Sequence, residues 1–141
     1  MRVSIALLSL FGWLLYVGQL ISVVNFPLAQ RHGLPEPPEH TDPLYSRLEL
    51  YAARWDVLCL WILPLTGVLI LLEHPWWPFA ALIGGAIFVD AGGREAAKVL
   101  GLRKEGVRSG SSRQFWLAMA VYGYFMVTGM LAVATGLDAA A

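Results

Sequence analysis

The first apolar run of the chain carries no charged residue over 24 positions. It extends from Val3 to Phe26 and reads VSIALLSLFGWLLYVGQLISVVNF. A helix of that length rises about 36 Å, enough to cross a hydrocarbon core of about 30 Å. A cleaved signal peptide is the alternative, but its apolar region usually has about 7–15 residues, and no A-x-A-like site follows this run. The run therefore predicts a membrane-spanning helix.

Three further apolar runs follow, and the composition agrees with them. Of the 141 residues, 57% are hydrophobic and 14% are charged, whereas soluble domains are about half apolar and a quarter charged. We therefore expect an all-α integral membrane four-helix bundle, with residues 1–141 in a single membrane domain. The predicted spans are about 3–26, 51–72, 79–100 and 114–137.

A proline-rich polar loop, residues 27–46, separates the first two spans. Its five prolines and one glycine exclude a continuous helix and favour extended backbone. Thr41-Asp42-Pro43 predicts a helix start, because a capping oxygen precedes a proline in the first turn. Pro64 is expected to kink the second span. An amphipathic lead-in to that span is expected to lie along the membrane surface; its apolar stripe is Leu44, Leu48, Tyr51 and Trp55.

Basic residues are distributed unevenly between the two ends of the predicted bundle. Nine of the ten lie in the first connection, at the start of the second span, or at the end of the third span and in the loop after it. The positive-inside rule then makes loops 27–46 and 101–113 cytoplasmic and leaves both termini outside. The nine are Arg31, Arg47, Arg54, Arg94, Lys98, Arg103, Lys104, Arg108 and Arg113.

Ionisable residues inside a membrane are costly and are functional candidates by default. Asp90 follows Trp77 by 13 residues, about 20 Å along a helix, and Arg94 lies one turn further. Side chains from the other spans are expected at a similar depth. A purely structural interpretation is the alternative, in which Asp90 and Arg94 neutralise each other. The candidate residues for a ligand-binding or proton-relay pocket are Tyr16, Gln19, Asp56, Asp90, Arg94 and Tyr122.

Small residues recur at four-residue spacing along the third span. Such small-xxx-small pairs let helix backbones approach closely in lipid, so we expect the third span to be the central helix. The pairs are Ala81 with Gly85, Gly92 with Ala96, and Gly93 with Ala97.

Several other activities are disfavoured. The formal charge of zero argues against nucleic acid as a partner. All three histidines lie outside the spans, so no haem site is predicted. His32 and His40 with Glu36 and Glu39 could bind a metal ion, but a solvated loop is the favoured interpretation. We therefore predict no metal and no cofactor, and no catalytic residue can be named.

The sequence favours a non-catalytic subunit or scaffold of a membrane assembly. Its expected partners are the lipid bilayer and either another membrane protein or a second copy of the chain. The alternative function is binding or transport of a small hydrophobic or proton-coupled ligand in the polar intramembrane pocket. A membrane enzyme acting on a lipid-like substrate has the least support, so an enzyme is disfavoured.

Overall fold

The computed structural model describes residues 2–35 and 38–140. Over these residues the chain is all-α, as the sequence predicts, and contains no strand; an isolated bridge joins Thr41 to Ser109. The helices are α1 (Arg2–Val24), α2 (Phe26–Arg31), α3 (Pro43–Cys59), α4 (Ile62–Leu71), α5 (Trp77–Lys104) and α6 (Ser112–Ala140), with a 3-10 turn at Pro38–His40.

Three helical segments among the described residues are long and apolar enough to cross a membrane. They are α1, the consecutive helices α3 and α4 taken together, and α6. The third predicted span corresponds to α5, which is not among the three, because charged residues lie from its middle to its C-terminal end. These residues are Asp90, Arg94, Glu95, Lys98, Arg103 and Lys104.

The second predicted span is broken near its middle. Helix α3 ends at Cys59, and α4 begins at Ile62. Pro64 explains this position, because a proline ring clashes with the carbonyl group four residues earlier, here that of Leu60. The indole Nε1 of Trp61 turns back to donate to the Leu58 carbonyl at 2.9 Å. The predicted kink is confirmed.

The start of α3 is also confirmed. The Asp42 side chain accepts a hydrogen bond from the Leu44 amide at 2.8 Å, and Pro43 occupies the first turn. The preceding loop is more ordered than expected, however. Helix α2 occupies its first residues, since the Asn25 side chain caps the Leu28 amide at 3.0 Å.

Helices α5 and α6 pack antiparallel with their backbones nearly in contact. A Cβ atom built on Gly85 would lie 2.7 Å from the Gly129 carbonyl oxygen, and one on Gly92 would lie 2.7 Å from that of Tyr122. A Cβ atom on Gly136 would lie 2.9 Å from the Pro78 carbonyl oxygen. The three contacts are spaced seven residues apart on each helix, and each of them includes a glycine. Glycine therefore sets the distance between the two helices along the whole interface.

The opposite side of α5 packs on α4, which in turn packs on α1. A Cβ atom on Gly84 would lie 2.6 Å from the Leu63 amide nitrogen, and one on Gly67 would lie 2.8 Å from the Ala6 carbonyl oxygen. Helix α5 therefore lies between α4 and α6, with buried Phe88 in the core. Gly93 faces open space, so this glycine is not used for packing within the chain.

The first and third connections lie against each other at one end of the molecule. The Asp42 amide donates to the Arg108 carbonyl at 2.8 Å, and the Gly110 amide donates to the His40 carbonyl at 3.1 Å. At the other end, the Arg2 guanidinium lies 5.2 Å from the centre of the Trp77 ring. The N-terminus of α1 therefore lies beside the turn between α4 and α5.

Candidate functional site

A group of polar and charged side chains lies where α1, α3 and α5 meet. Asp56 on α3 is at its centre, with a side chain only 6% exposed. Gln19 on α1 donates to one Asp56 oxygen at 3.5 Å, and Arg94 on α5 donates to the other at 3.5 Å. One buried carboxylate thus connects three helices. We call the whole group the charged cluster; it consists of Gln19, Glu49, Asp56, Arg94, Glu95 and Lys98.

The second half of the charged cluster is organised around Lys98. Its Nζ atom lies 2.7 Å from Glu49 Oε1 on α3 and also contacts Glu95, three residues earlier on α5. Arg94 approaches the other oxygen of Glu95 at 4.0 Å. The aromatic ring of Tyr45 lies 5.9 Å from the Lys98 nitrogen. Arg94 and Lys98 are therefore each shared between carboxylates of α3 and of their own helix.

The structure brings together most of the residues that the sequence places at one depth in the predicted bundle. Gln19, Asp56 and Arg94 are in contact, as described above. The Tyr16 hydroxyl donates to the Val57 carbonyl at 3.2 Å, one residue away from Asp56. Tyr122 on α6 lies near Asp56 but is not hydrogen-bonded to it.

Asp90 differs from the other predicted residues because its side chain is 71% exposed. It approaches Arg94 at 3.9 Å, one turn along α5, but it points away from the helix junction. An exposed apolar groove of about 550 Å³, the outer groove, lies beside it between α5 and α6. Its walls include Val89, Met130 and Val133.

Sequence reasoning did not assign Glu49, Glu95, Lys98 and Tyr45 to the site. The lead-in that contains Glu49 was expected to lie along the membrane surface, so its polar side chains were not placed in the pocket. In the structure Trp55 of the apolar stripe is exposed, whereas Tyr45 and Asp56 are buried. The spacing of Glu95 and Lys98 at i and i+3, one turn beyond Asp90, is the signal that could have extended the pocket to them.

The charged cluster has an excess of negative charge. Together with the adjacent Asp90, its three carboxylates face two cations, Arg94 and Lys98. Such a site can attract a proton or another cation. Over residues 2–35 and 38–140, three or more potential metal ligands do not come together. Of the residues suggested for a loop metal site, Glu36 lies outside the described residues.

Comparison with known proteins identifies no relative. The chain matches no protein-family model, no curated protein sequence and no solved structure. Its function must therefore be argued from its own residues.

Proposed function

We propose that the chain is an integral membrane protein that crosses the bilayer four times as a four-helix bundle and acts as a non-catalytic subunit of a membrane assembly. The observation that carries the proposal is the inverted polarity of α3. Its exposed positions include Leu44, Tyr51 and Trp55, while Asp56 is buried and paired. A helix on a water-exposed surface has the opposite arrangement, so lipid is the solvent that fits.

Helix α5, which covers the third predicted span, fits a membrane-spanning helix despite its charges. Three of its ionisable residues are paired with α3 or with one another: Arg94, Glu95 and Lys98. Ionisable groups within membrane bundles characteristically face the interior and pair in this way. The proposed orientation follows the basic residues, with loops 27–46 and 101–113 in the cytoplasm and the termini outside.

The outer face of α5 supports a role in an assembly. Asp90 is exposed there, and its distance of 3.9 Å from Arg94 leaves that pair loosely formed. An exposed charge inside a bilayer is costly, and a neighbouring helix would remove it from lipid. Gly93 and Gly101 provide room for such a helix, because a Cβ atom on either would meet nothing within 4 Å.

The charged cluster itself supports a structural rather than a catalytic role. Asp56 contacts Gln19 and Arg94, and Lys98 lies between two carboxylates. The outer groove is not lined by Asp56 or Lys98. We therefore assign the cluster to holding α1, α3 and α5 together.

Membrane topology is tested by cysteine labelling in a Cys59→Ser background. In intact cells, a membrane-impermeant maleimide should modify the Glu73→Cys variant but not the Glu105→Cys variant. Permeabilising the cells should expose Glu105→Cys. Extraction of the protein from membranes by alkaline carbonate would refute membrane integration, and the reverse labelling pattern would refute the orientation.

Assembly is tested with a photo-crosslinking residue at Ala97, on the outer face of α5, and a control at exposed Val127 on α6. In native membranes, Ala97 should crosslink to a protein in fixed stoichiometry, and Val127 should crosslink less. A product with a second copy of the chain or with a different membrane protein would support the subunit role. Only lipid adducts at Ala97, together with a single-chain mass in native nanodiscs, would refute it.

The outer groove favours a second candidate function, binding of a small amphiphilic cation. Its lining is apolar except for Asp90, which matches a hydrophobic body with one positive centre. Purification in native nanodiscs separates the two functions. A single chain that retains such an amphiphile and loses it in the Asp90→Asn variant would favour the second.

A further inference from the structure

The two loops at the basic end of the molecule enclose a second groove of about 430 Å³. We call it the inter-loop groove. It lies between the 3-10 turn of the first connection and the loop that joins α5 to α6. The charged and ionisable side chains that line it are Glu39, His40, Arg103 and Arg108. Two guanidinium groups thus face one carboxylate, which leaves the groove formally positive even when His40 is neutral.

The groove is held in shape by the backbone on both sides. Its two loops are joined by the Asp42 to Arg108 and Gly110 to His40 hydrogen bonds. Gly106 has a φ of 79° and Gly110 a φ of 106°. Positive φ values are ordinary for glycine and strained for other residues. The sequence of this loop is therefore fitted to one conformation.

The basic side chains are also fixed by contacts. The Arg103 guanidinium lies 4.4 Å from the centre of the Phe115 ring on α6, a cation–π distance. Arg108 donates to the Glu39 carbonyl at 3.5 Å. Helix α6 begins at Ser112, immediately after groove residue Ser111. The positive end of a 29-residue helix therefore adds to the field in the groove.

Ser109 provides an independent indication of a ligand. It lines the groove and is 7% exposed, and its hydroxyl oxygen is buried with no hydrogen-bond partner among the described residues. An unpaired buried hydroxyl is costly and uncommon in folded proteins. Rotation of this side chain into the groove would pair the hydroxyl with a ligand that carries several acceptor oxygens.

We propose that the inter-loop groove binds a phosphate group through Arg103, Arg108, Ser109 and the N-terminus of α6. Phosphate oxygens accept hydrogen bonds from guanidinium and hydroxyl groups, and they are stabilised at helix N-termini. The phosphate is supplied by an anionic lipid head group or by free phosphate. The lipid source rests on the proposed function, because it requires this end of the bundle to lie at a membrane surface.

The test uses the full chain in phosphatidylcholine nanodiscs, titrated with inorganic phosphate, and in parallel the chain in nanodiscs that also contain phosphatidate. Binding is followed by ³¹P NMR. The Arg103→Met and Arg108→Met variants should each weaken binding by about tenfold or more, as loss of a charge-assisted hydrogen bond predicts. Arg113→Met is the matched control, because Arg113 lies nearby in the first turn of α6 but does not line the groove.

Ser109→Ala provides a readout that a merely structural serine would not give. It should raise the thermal stability of the phosphate-free protein, because it removes an unpaired polar group. It should also weaken phosphate binding by several-fold.

The possible outcomes separate the two sources of phosphate. Binding of inorganic phosphate in phosphatidylcholine identifies the free ion, and binding of phosphatidate alone identifies a lipid head group. Saturable binding of neither probe would overturn the proposal, as would equal effects of Arg103→Met and Arg113→Met. If carbonate extracts the protein from membranes, the proposed function fails, but binding of free phosphate remains testable.

Discussion

The close approach of α5 and α6 predicts that one added methyl group has opposite effects at two glycines of the same helix. Gly85→Ala places a Cβ atom 2.7 Å from the Gly129 carbonyl oxygen, whereas Gly93→Ala places one in open space. Both changes gain the same helix propensity, about 0.5–1 kcal/mol in a helix interior. The difference between the two variants therefore isolates the contact between the helices.

The magnitude follows from the geometry of that contact. Carbon and oxygen atoms ordinarily approach to about 3.3 Å, so the helices must separate locally by about 0.6 Å. A gap of that size loses a quarter to a half of the dispersion energy of each opposing contact. The close contacts at Gly92 and Gly136, on either side of Gly85, oppose this separation of the helices. We expect Gly85→Ala to be less stable than Gly93→Ala by about 2 kcal/mol, within the range for overpacked interiors.

The assay is reversible unfolding in mixed micelles, followed by far-ultraviolet circular dichroism as a denaturing detergent is added. Gly129→Ala should resemble Gly85→Ala, because its Cβ atom would lie 2.5 Å from the Gly85 carbonyl oxygen. Free energies of unfolding for Gly85→Ala and Gly93→Ala that agree within about 0.5 kcal/mol, the size of a neutral surface change, would refute the proposed packing.

The same unfolding assay tests three other contacts. Lys98→Met removes the cation between two carboxylates and should cost about 3 kcal/mol. The control Lys104→Met, at an exposed position, should cost less than about 0.5 kcal/mol. Equal losses of stability in the two variants would contradict the role of Lys98. Tyr124→Phe removes the hydrogen bond to the Leu8 carbonyl and should cost about 1 kcal/mol; a free energy of unfolding equal to that of the unmodified chain would contradict this contribution. Asp42→Ala removes the α3 cap and should cost about 1 kcal/mol. Asp42→Asn should keep most of the stability, because asparagine also caps helices. An Asp42→Ala variant as stable as the unmodified chain would exclude the capping role.

Features governed by neighbouring residues could be predicted from the sequence. The cap at Asp42 acts on an amide two residues away, and Pro64 acts on the turn before it. Neither depends on how the helices pack. Counting residues along each span also placed Gln19, Asp56 and Arg94 at one level, and these three are in contact.

Rotation of each helix about its axis could not be predicted in the same way. Depth counting does not say which side of α3 faces the other helices. Glu49, which contacts Lys98, was not assigned to the pocket for this reason. The small-residue pattern predicted that Gly85 and Gly92 lie at close helix contacts, but it did not identify α6 as the partner helix. Gly85 and Gly92 are seven residues apart, as are Gly129 and Gly136, and this matched spacing is the signal that pairs the two helices.

The charged cluster and the inter-loop groove carry opposite net charges and share helix α5, so they should be coupled. Glu95 and Arg103 are eight residues apart, or about 12 Å along the helix axis. At that separation, two unit charges interact by about 0.3 kcal/mol in water and about 1.4 kcal/mol at an effective dielectric constant of 20.

The proposed phosphate site therefore predicts that Glu95→Gln strengthens phosphate binding. Removing this negative charge should increase affinity by about two- to tenfold at low salt and by less at high salt, because ions screen the interaction. Lys98 retains Glu49 as its partner in this variant, so the fold should persist. Glu73→Gln is the control, because Glu73 lies in the turn at the opposite end of α5. Phosphate titration at two salt concentrations measures the effect. Equal affinity of the Glu95→Gln variant and the unmodified chain at low salt would show that the cluster and the groove are electrostatically independent.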